Sequence, residues 1–367
     1  CEHGRVSHEI TPEQVASTVD AALVQVDELK SIGLSAGLDA VGVTTVEPFT
    51  ATLEEILRRR EAGLHGGMQF TFRNPERSTD PRRILQGASS ILVGAMRVPA
   101  PRLPGVRAGR ARIAAYARND YYGELRRALG EVATHLTTAS YAARVVADEN
   151  ALVDRAAAVR AGIGWYGRNG NVLIPGRGSW FVLGSVITDA PLQPDQEITD
   201  EDCGTCRSCI DGCPTGAIVE SGVVDARRCL AWLVQAPGDI PLDFRKAMGG
   251  RIYGCDDCQE VCPVGRPERP VRRSTEPSAD VEAVEVLTSS DGDLLDRFGH
   301  WYIADRDPRY LRRNALVVLG NTADPSDHLV ARVLKENIAG NDPMLHSHAV
   351  WAVQELGRSD LLEKPNT

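Results

Sequence analysis

The 367-residue chain lacks long apolar runs, and it is poor in aromatic residues, which make up only 5% of the sequence. No stretch approaches the eighteen or more apolar residues that a membrane-spanning helix requires. The segment from Cys1 to Leu23 is polar and interrupted, so it has no apolar core of the signal-peptide kind. We therefore expect a cytoplasmic protein with no membrane contact. Cys1 indicates a chain boundary, although the lipid-bearing cysteine of a mature lipoprotein has the same position.

An excess of positive charge is also missing, because the formal net charge is -9 and the pI is about 5.5. The field of the whole molecule therefore does not favour a polyanion, and any contact with nucleic acid needs a local basic face. Hydrophobic residues make up 43% of the chain, which is enough for a sizeable core at this length. We expect a globular protein of two or three domains.

Cysteine is concentrated in one part of the chain, where eight of the nine cysteines fall between positions 203 and 262. Such a cluster is either a metal site or a group of disulfides. A cytosolic chain that can already build a core neither needs nor keeps disulfides, so metal binding is favoured.

The spacing of the cysteines is typical of iron–sulfur proteins. The first four follow the pattern C-x2-C-x2-C-x3-C-P, in which three thiolates hold one cluster and the fourth reaches another. The pattern recurs near position 260 without its first member, which Cys229 can replace. Two structural zinc sites are the alternative, but they would leave the Cys-Pro members without a role. We assign to one [4Fe-4S] cluster a first set, Cys203, Cys206, Cys209 and Cys262. We assign to the other a second set, Cys213, Cys229, Cys255 and Cys258.

The region before Pro194 alternates apolar strand patterns with amphipathic helix patterns, which indicates an α+β domain. The predicted strands are Ala40–Val46, Ser90–Val98 and Ala143–Ala147. The predicted helices are Val15–Leu34, Leu53–Ala62 and Tyr122–Leu136, and Pro99–Gly109 is predicted as a loop. Asp148 follows the last of these strands directly, where site residues often lie.

The segment from Asp154 to Thr188 contains seven glycines. This density allows either a close approach of the backbone to a flat ligand or a pair of tight hairpins with no ligand. The segment is not a nucleotide-binding fingerprint, because its G-x-G-x-x-G follows a helical pattern instead of a strand.

The last hundred residues read as helical beyond a Pro- and Arg-rich linker at Pro267–Pro277. Asp307-Pro308 and Asp342-Pro343 each precede an apolar helical pattern, and the two lie about 35 residues apart. This period predicts two stacked helical-repeat units, while an ordinary helical hairpin is the alternative.

Several of these motifs together resemble the cobalamin-dependent epoxyqueuosine reductases, the iron–sulfur enzymes that complete queuosine in transfer RNA. The resemblance spans nearly the whole chain. It is carried by LKSIGLSAGLDAVGVTTVEPF, DPRRILQGASSILVGA, YARNDYYGELRRAL, DRAAAVRAGIGWYGRNGNVLIPGRGSWFVLGSVITDAPL, CGTCRSCIDGCPTGAI, RRCLAWLVQ and RIYGCDDCQEVCP.

The resemblance implies three parts. Residues 1–194 would form a nitroreductase-like cobalamin-binding catalytic domain, residues 195–266 a ferredoxin-like domain with two [4Fe-4S] clusters, and residues 267–367 a HEAT-like helical tail. No D-x-H-x-x-G segment is present to supply a lower axial histidine, and His65, His135 and His300 lie in other contexts. We therefore expect cobalamin to bind base-off, with cobalt fed one electron at a time.

The family match makes Asp148 the general acid that protonates the departing epoxide oxygen. The alternative is that Asp148 caps a helix beginning near Ala151, with Asn150 as a rival cap. Asp154 resembles a structural acidic helix residue of the family. The match places cobalamin contacts at Arg77, Asp148, Val172, Leu183, Ala231 and Asp256. The chain departs from the family pattern on the substrate side of the pocket, at Tyr122, where histidine is usual, and in the turn after Asp148.

The resemblance also implies partners: the anticodon stem-loop of a transfer RNA carrying epoxyqueuosine, and an external electron donor of the flavodoxin or ferredoxin type, with the chain acting as a monomer. Gln235 and Gly238 would lie near the anticodon loop. Basic residues that could supply a phosphate-binding face occur in pairs and triplets, although any single pair is more typical of a solvated surface; they are Arg58, Arg59, Arg60, Arg126, Arg127, Arg227, Arg228, Arg272, Arg273, Arg312 and Arg313. Two other functions fit the same motifs, a reductive-dehalogenase-like enzyme acting on a small molecule and an electron-transfer protein without its own substrate.

Overall fold

The computed structural model describes residues 26–99, 107–264 and 279–362. Its strands are β1 Ala40–Thr45, β2 Ser90–Arg97, β3 Arg110–Ile113, β4 Ala143–Ala147, β5 Trp165–Tyr166, β6 Val172–Leu173, β7 Phe181–Thr188, β8 Ile218–Glu220, β9 Val223–Val224, β10 Arg251–Tyr253 and β11 Asp280–Glu282. Its helices are α1 (26–35), α2 Thr50–Glu61, α3 Pro75–Ser78, α4 Tyr121–Thr138, α5 Asp154–Arg160, α6 Ser208–Asp211, α7 Leu230–Leu233, α8 Leu242–Met248, α9 Asp257–Glu260, α10 Ala283–Thr288, α11 Asp291–Phe298, α12 Arg309–Thr322, α13 His328–Ala339 and α14 Pro343–Glu355. In the ranges described, no helix combines the length and the apolar character needed to cross a membrane.

The largest sheet has the strand order β1-β2-β7-β4, and every neighbouring pair in it is antiparallel. Strand β2 is buried along almost its whole length, which suits its unbroken apolar sequence SILVGAM at the centre of the sheet. Because helices alternate with an antiparallel sheet, the predicted α+β class is confirmed. The nitroreductase-like description of this part stays a prediction.

Helices cover both faces of this sheet. On one face, α4 buries Leu125, Leu129 and Val132, which its helical period places on one side, against strands β2 and β7. On the other face, α5 packs the small side chains of Ala156 and Ala157 against the same two strands. The end of β4 and the start of β7 therefore open at one edge of a three-layer body.

The predicted strands of this region are confirmed to within one residue, and the helices α2 and α4 begin earlier than predicted by three residues and one residue. The helix after β4 begins at Asp154, so the predicted start near Ala151 is wrong. Asn150 explains the difference, because its side chain accepts a hydrogen bond from the backbone N–H of Thr71 and its carbonyl accepts one from Ser78 Oγ at 2.9 Å. These bonds hold the residues after Asp148 in a turn docked on the segment before α3.

A second, three-stranded sheet has the order β10-β3-β11 and joins distant parts of the chain. It takes β3 from the first predicted segment, β10 from the cysteine segment and β11 from the tail. Arg110 reinforces the pairing of β3 with β11, since its Nε lies 2.6 Å from a carboxylate oxygen of Asp280. The three predicted segments therefore pack as one body, and their boundaries at 194/195 and 266/267 stay a prediction. The predicted linker Pro267–Pro277 lies outside the described residues, as do positions 100–106 of the predicted loop and the part of the first predicted helix before residue 26.

The tail is helical, as predicted, and the two Asp-Pro pairs begin its helices α12 and α14. Arg309 links the two aspartates, with guanidinium nitrogens 2.6 Å from Asp307 and 2.8 Å from Asp342. Helix α12 approaches α14 so closely that a Cβ at Gly320 would lie 2.7 Å from the Trp351 ring. The HEAT-like character of this pairing stays a prediction.

The tail is fastened to the cysteine segment by one buried cation, Arg313. Its guanidinium is fully buried and donates to the carbonyl oxygens of residues 233, 234, 236 and 238 and to Asn314 Oδ1. Burial lowers the pKa of Arg313 to about 10, so the group remains charged at neutral pH. The prediction that Arg313 belongs to a basic surface is therefore wrong. Arg272 and Arg273 lie outside the described residues.

We expect Arg313→Leu to lower the free energy of unfolding by about 3 kcal/mol or more, because several buried carbonyl groups lose their donor at once. Arg332→Leu is the matched control, since Arg332 is an exposed arginine of α13 that pairs with Glu336 of the same helix at 3.8 Å. Urea denaturation followed by circular dichroism measures both. Equal stability of the two variants would contradict the fastening role.

Candidate functional site

A cavity of about 1160 Å³ opens at the edge where β4 ends and β7 begins. Its walls come from the sheet, from the hairpin of β5 and β6, from the cysteine segment and from the tail residues His300, Trp301 and Tyr302. Pockets for drug-sized ligands have volumes of roughly 300 to 1,000 Å³. This cavity is larger and takes a bulkier occupant.

The structure brings the members of the first cysteine set together. The pKa of the Cys209 thiol is raised by burial and then by the nearby thiols of Cys203, Cys262 and Cys206. Cys262 is distant in sequence from the other three, so the chain folds back to complete this group. Cys203 and Cys206 are half-buried beside the exposed residues Gly204 and Thr205, so the first set lies near the surface.

The second set gathers in the same way. Burial raises the pKa of Cys258, and Cys255, Cys229, Cys209 and Cys213 raise it further. Three of these four thiols belong to the second set, and Cys209 belongs to the first, which shows that the two sets lie side by side.

No group of three or more His, Cys, Asp or Glu side chains in the described ranges is drawn together tightly enough for a single metal ion. Thiolates that each hold one iron of a cubane stand farther apart than the ligands of one ion.

All four members of the second set line the cavity, and no member of the first set does. The sequence order of the cysteines is therefore converted into a spatial order: surface, first set, second set, cavity. An electron that entered at the first set would reach the cavity through the second.

Asp148 also lines the cavity, immediately after β4. Its φ of 54° lies in the left-handed region, which is uncommon for residues other than glycine but more accessible to Asp and Asn. Water can reach the carboxylate, yet the surrounding protein removes enough hydration to raise its pKa, and Arg126 on α4 opposes this effect. A carboxyl with a raised pKa in a cavity has the properties of a general acid.

Asp148 does not cap a helix. Helix α5 begins six residues later, and its N-cap residue is Val153, which makes no side-chain capping bond. The capping alternative for Asp148 is therefore wrong, as it is for Asn150, whose side chain bonds to the segment before α3.

Asp154 has a larger place in the site than its sequence context predicted. As the first residue of α5 it lines the cavity, and burial followed by the charge of Asp148 raises its pKa well above the usual range. In the sequence, Asp154 stands directly after an apolar turn, which could have indicated a site residue. A structural acidic residue at the start of a helix has the same position, so the sequence does not distinguish the two.

Three tyrosines complete this wall: Tyr116, Tyr122 and Tyr253. Burial raises the pKa of all three, and the charge of Asp148 contributes in each case. They therefore stay protonated and can act as hydrogen-bond donors. Tyr122, the departure from the family pattern, is part of the cavity, while no signal in the sequence singled out Tyr253.

Of the predicted cobalamin contacts other than Asp148, three line the cavity: Val172, Leu183 and Ala231. Arg77 and Asp256 do not. Arg77 is exposed on α3, and Asp256 is buried with one carboxylate oxygen accepting a bond from the Ala115 backbone N–H at 2.7 Å. All of these assignments stay predictions.

The glycine-rich segment forms the hairpin of β5 and β6 and leads into β7. Close backbone packing explains one of its glycines, because a Cβ at Gly164 would lie 2.2 Å from the Leu173 carbonyl oxygen. Gly170, Asn171 and Val172 line the cavity, so the hairpin pair also faces the ligand space. The two interpretations of this segment are therefore compatible.

Of the predicted basic residues, Arg59 lines the cavity beside Arg155. Gln235 lines it too, and its amide nitrogen donates to the hydroxyl of Tyr116 at 3.2 Å. His300 reaches the cavity wall, but its Nε2 lies 3.1 Å from the Ala117 carbonyl oxygen. That nitrogen must carry the proton, so it is not available as a metal ligand.

Residues 202–265 match the family described as "4Fe-4S double cluster binding domain". The epoxyqueuosine reductase of Bacillus anthracis is 33% identical to this chain over 335 residues, which cover 88% of this chain and 86% of that protein. The chain belongs to the epoxyqueuosine reductase family. It is therefore an oxidoreductase with a domain for two [4Fe-4S] clusters.

Solved structures of the family have the same fold. An epoxyqueuosine reductase crystallised with an epoxyqueuosine-modified stem loop of tRNA-Tyr superposes with a TM-score of 0.83 at 29% identity, covering 94% of this chain and 96% of that one. A Bacillus subtilis structure, described as having its catalytic aspartate loop swung out of the active site, gives 0.82 at 28% identity, covering 94% and 96%.

We expect the two cysteine sets to behave as two independent units. Cys203→Ala and Cys262→Ala should each remove about half of the iron and sulfide, because each breaks one of two clusters. Combined, they should remove no more than either alone, whereas Cys203→Ala with Cys213→Ala should remove nearly all. Iron and acid-labile sulfide analysis after anaerobic reconstitution measures this, with Cys1→Ala as the control. Greater loss in Cys203→Ala with Cys262→Ala than in either single variant would contradict the grouping.

Proposed function

We propose that this protein reduces the epoxide of epoxyqueuosine to the alkene of queuosine at the wobble position of transfer RNA. One observation carries the proposal: the cavity has the second cysteine set in one wall and an acid with a raised pKa, Asp148, in another. The reaction takes up two electrons and two protons and releases water. In this proposal the second cysteine set is the route for the electrons, and Asp148 is the donor of a proton.

The cysteine sets would hold the two clusters, and each cluster would pass single electrons. The chain determines the direction of transfer, because the first set lies near the surface and only the second lines the cavity. A donor of the flavodoxin or ferredoxin type would dock beside the exposed loop at Gly204 and Thr205.

Cobalamin is the cofactor that fits the cavity. The volume of about 1160 Å³ suits a macrocycle, and Val172, Leu183 and Ala231 supply backbone and apolar side chains to hold it. When bound, cobalamin supplies a strongly reducing cobalt. The base-off binding expected from the sequence is part of this proposal.

Asp148 would hold the proton that the leaving epoxide oxygen requires. The raised pKa keeps part of the carboxyl population protonated at a pH where an ordinary aspartate is ionised. The left-handed backbone conformation of Asp148 begins a turn, and the hydrogen bonds of Asn150 attach this turn to Thr71 and Ser78. These bonds hold the acid in place. The Bacillus subtilis relative, described with a catalytic aspartate loop, supports this role.

The transfer RNA would present the modified base to the cavity as a flipped nucleotide, since a base within a stacked loop cannot reach a recessed acid. Gln235 lines the cavity beside Tyr116, which supports its predicted place near the anticodon loop. We further propose that the protein acts as a monomer in the cytoplasm. We also propose that it is divided into three domains, residues 1–194, 195–266 and 267–367.

The proposal is tested by anaerobic reconstitution with iron, sulfide and cobalamin, followed by reaction with epoxyqueuosine-containing transfer RNA and a strong reductant. Mass spectrometry of the nucleosides should show loss of one oxygen only when cobalamin is present. Asp148→Asn should lower kcat at least 100-fold while retaining cobalamin, because asparagine tolerates the same backbone but donates no proton.

Glu149→Gln is the matched control, because its neighbouring carboxylate pairs with Arg144 at the surface and should leave the rate unchanged. Intact epoxide with both clusters and cobalamin bound would reject the reaction and point to another substrate. A fully active Asp148→Asn variant would remove Asp148 from the acid role alone.

We expect kcat to fall as the pH rises through the pKa of Asp148, because only the protonated carboxyl donates. Arg126 lowers that pKa, so Arg126→Gln should raise it and move the alkaline limb of the pH–rate profile to higher pH. Arg127→Gln is the control, since the Arg127 guanidinium donates to the Ala36 carbonyl oxygen instead. A limb that does not move in the Arg126 variant would show that another group sets it.

A further inference from the structure

The rim of the cavity carries exposed aromatic side chains that the reaction does not use. Among the described residues, three large aromatic side chains are strongly exposed: Phe70 at 41%, Tyr166 at 47% and Tyr302 at 55%. All three line this one cavity, although they come from three separate parts of the chain. Single exposed apolar residues are common, but convergence on one opening marks a surface that receives a ligand.

Tyr302 differs from the other two because its backbone is clamped. The Tyr253 hydroxyl accepts a hydrogen bond from the Tyr302 N–H at 2.8 Å and donates one to the Tyr302 carbonyl oxygen at 3.1 Å. Tyr253 stacks on Trp301 with 4.3 Å between ring centroids, and Trp301 stacks on Phe298 at 4.2 Å. The Trp301 indole N–H donates to the Ala117 carbonyl oxygen at 2.7 Å, which ties this stack to the first region of the chain.

The clamp holds the residue without covering its ring. Both backbone groups of Tyr302 are satisfied by one buried phenol, while more than half of the residue's surface stays open to solvent at the cavity. An aromatic side chain on a fixed backbone has only two rotatable bonds to order, so it loses little entropy when a flat partner stacks on it.

We propose that Tyr302 is a stacking platform for a nucleobase of the RNA loop, next to the modified nucleotide that enters the cavity. This inference rests on the proposed function. The Tyr302 backbone is bonded to the Tyr253 hydroxyl, which also contacts Tyr116, and the Tyr116 hydroxyl accepts a bond from Gln235. Because flipping one nucleotide removes the stacking partner of its neighbour, an aromatic side chain at the opening replaces that lost contact.

The test uses an anticodon stem-loop RNA with 2-aminopurine beside the wobble position, whose fluorescence falls when the base stacks. Reconstituted wild-type protein should bind the RNA and quench the probe. Tyr302→Ala should bind it roughly 5- to 100-fold more weakly and lose the quenching, because base–aromatic stacking contributes on this scale. Tyr302→Phe should keep both, since the ring and not the hydroxyl makes the contact.

Leu329→Ala is the matched control, because Leu329 is 53% exposed on α13 but lies outside the cavity. Tyr253→Phe tests the clamp and should weaken quenching without abolishing binding. Cobalamin binding, followed by absorbance, should be unchanged in Tyr302→Ala, and a loss there would show that the ring contacts the cofactor instead.

Wild-type affinity and quenching in Tyr302→Ala would overturn the stacking proposal. Binding and quenching are measured without turnover, so their outcome is independent of whether the protein reduces the epoxide. Binding and quenching with a surviving epoxide would reject only the reduction, whereas normal reduction by Tyr302→Ala at wild-type KM would reject only the platform. Absence of RNA binding by the wild-type protein would reject the platform, and mass spectrometry would still decide the reaction.

Discussion

The site depends on the way the cysteine segment folds back on itself. Cys213 follows the first three cysteines directly, yet it groups with Cys229, Cys255 and Cys258, while Cys262 returns to the group that Cys213 leaves. This exchange sets the two groups side by side and leaves only one of them in the cavity wall. Because thiolates bind iron tightly only when all ligands are in place, cluster assembly would also stabilise this fold. The wall of the cavity and the proposed electron path thus depend on one topological feature.

The tail holds the same segment from behind. The side chains of Arg313 and Asn314 donate hydrogen bonds to backbone carbonyl groups that follow α7. The buried ring of His348 accepts a hydrogen bond from the Ile240 N–H at 3.2 Å. Burial lowers the pKa of His348 to about 4, so the ring stays neutral and remains an acceptor at physiological pH. These contacts hold the residues after Cys229, which include Gln235 at the cavity. The tail therefore helps to position this part of the cavity wall.

Local patterns predicted much of this protein, and long-range contacts account for what they missed. The strand of Ala143–Ala147 and the helix around Leu125 follow from apolar period alone, and cysteine spacing is itself a local signal. Arg313 was misplaced because an Arg-Arg-Asn run is typical of a surface, and only tertiary packing shows that the carbonyls of a distant loop surround it. The hydrogen bonds between Tyr253 and Tyr302 join residues 49 positions apart, and the periodicity of apolar residues in a sequence does not predict such a contact.

The two carboxyl groups of the cavity have different access to water, and this difference orders their roles. Asp148 is exposed to solvent, whereas Asp154 is half-buried, and the charge of Asp148 raises the pKa of Asp154. Ionising both together is unfavourable, so a proton given up by Asp148 leaves Asp154 still more firmly protonated. Reduction of an epoxide to an alkene takes up two protons in each turnover. Under the proposed function, Asp148 is the more exposed of the two and regains its proton from water more readily, so it is better suited to donate in each turnover, while Asp154 stays protonated beside it.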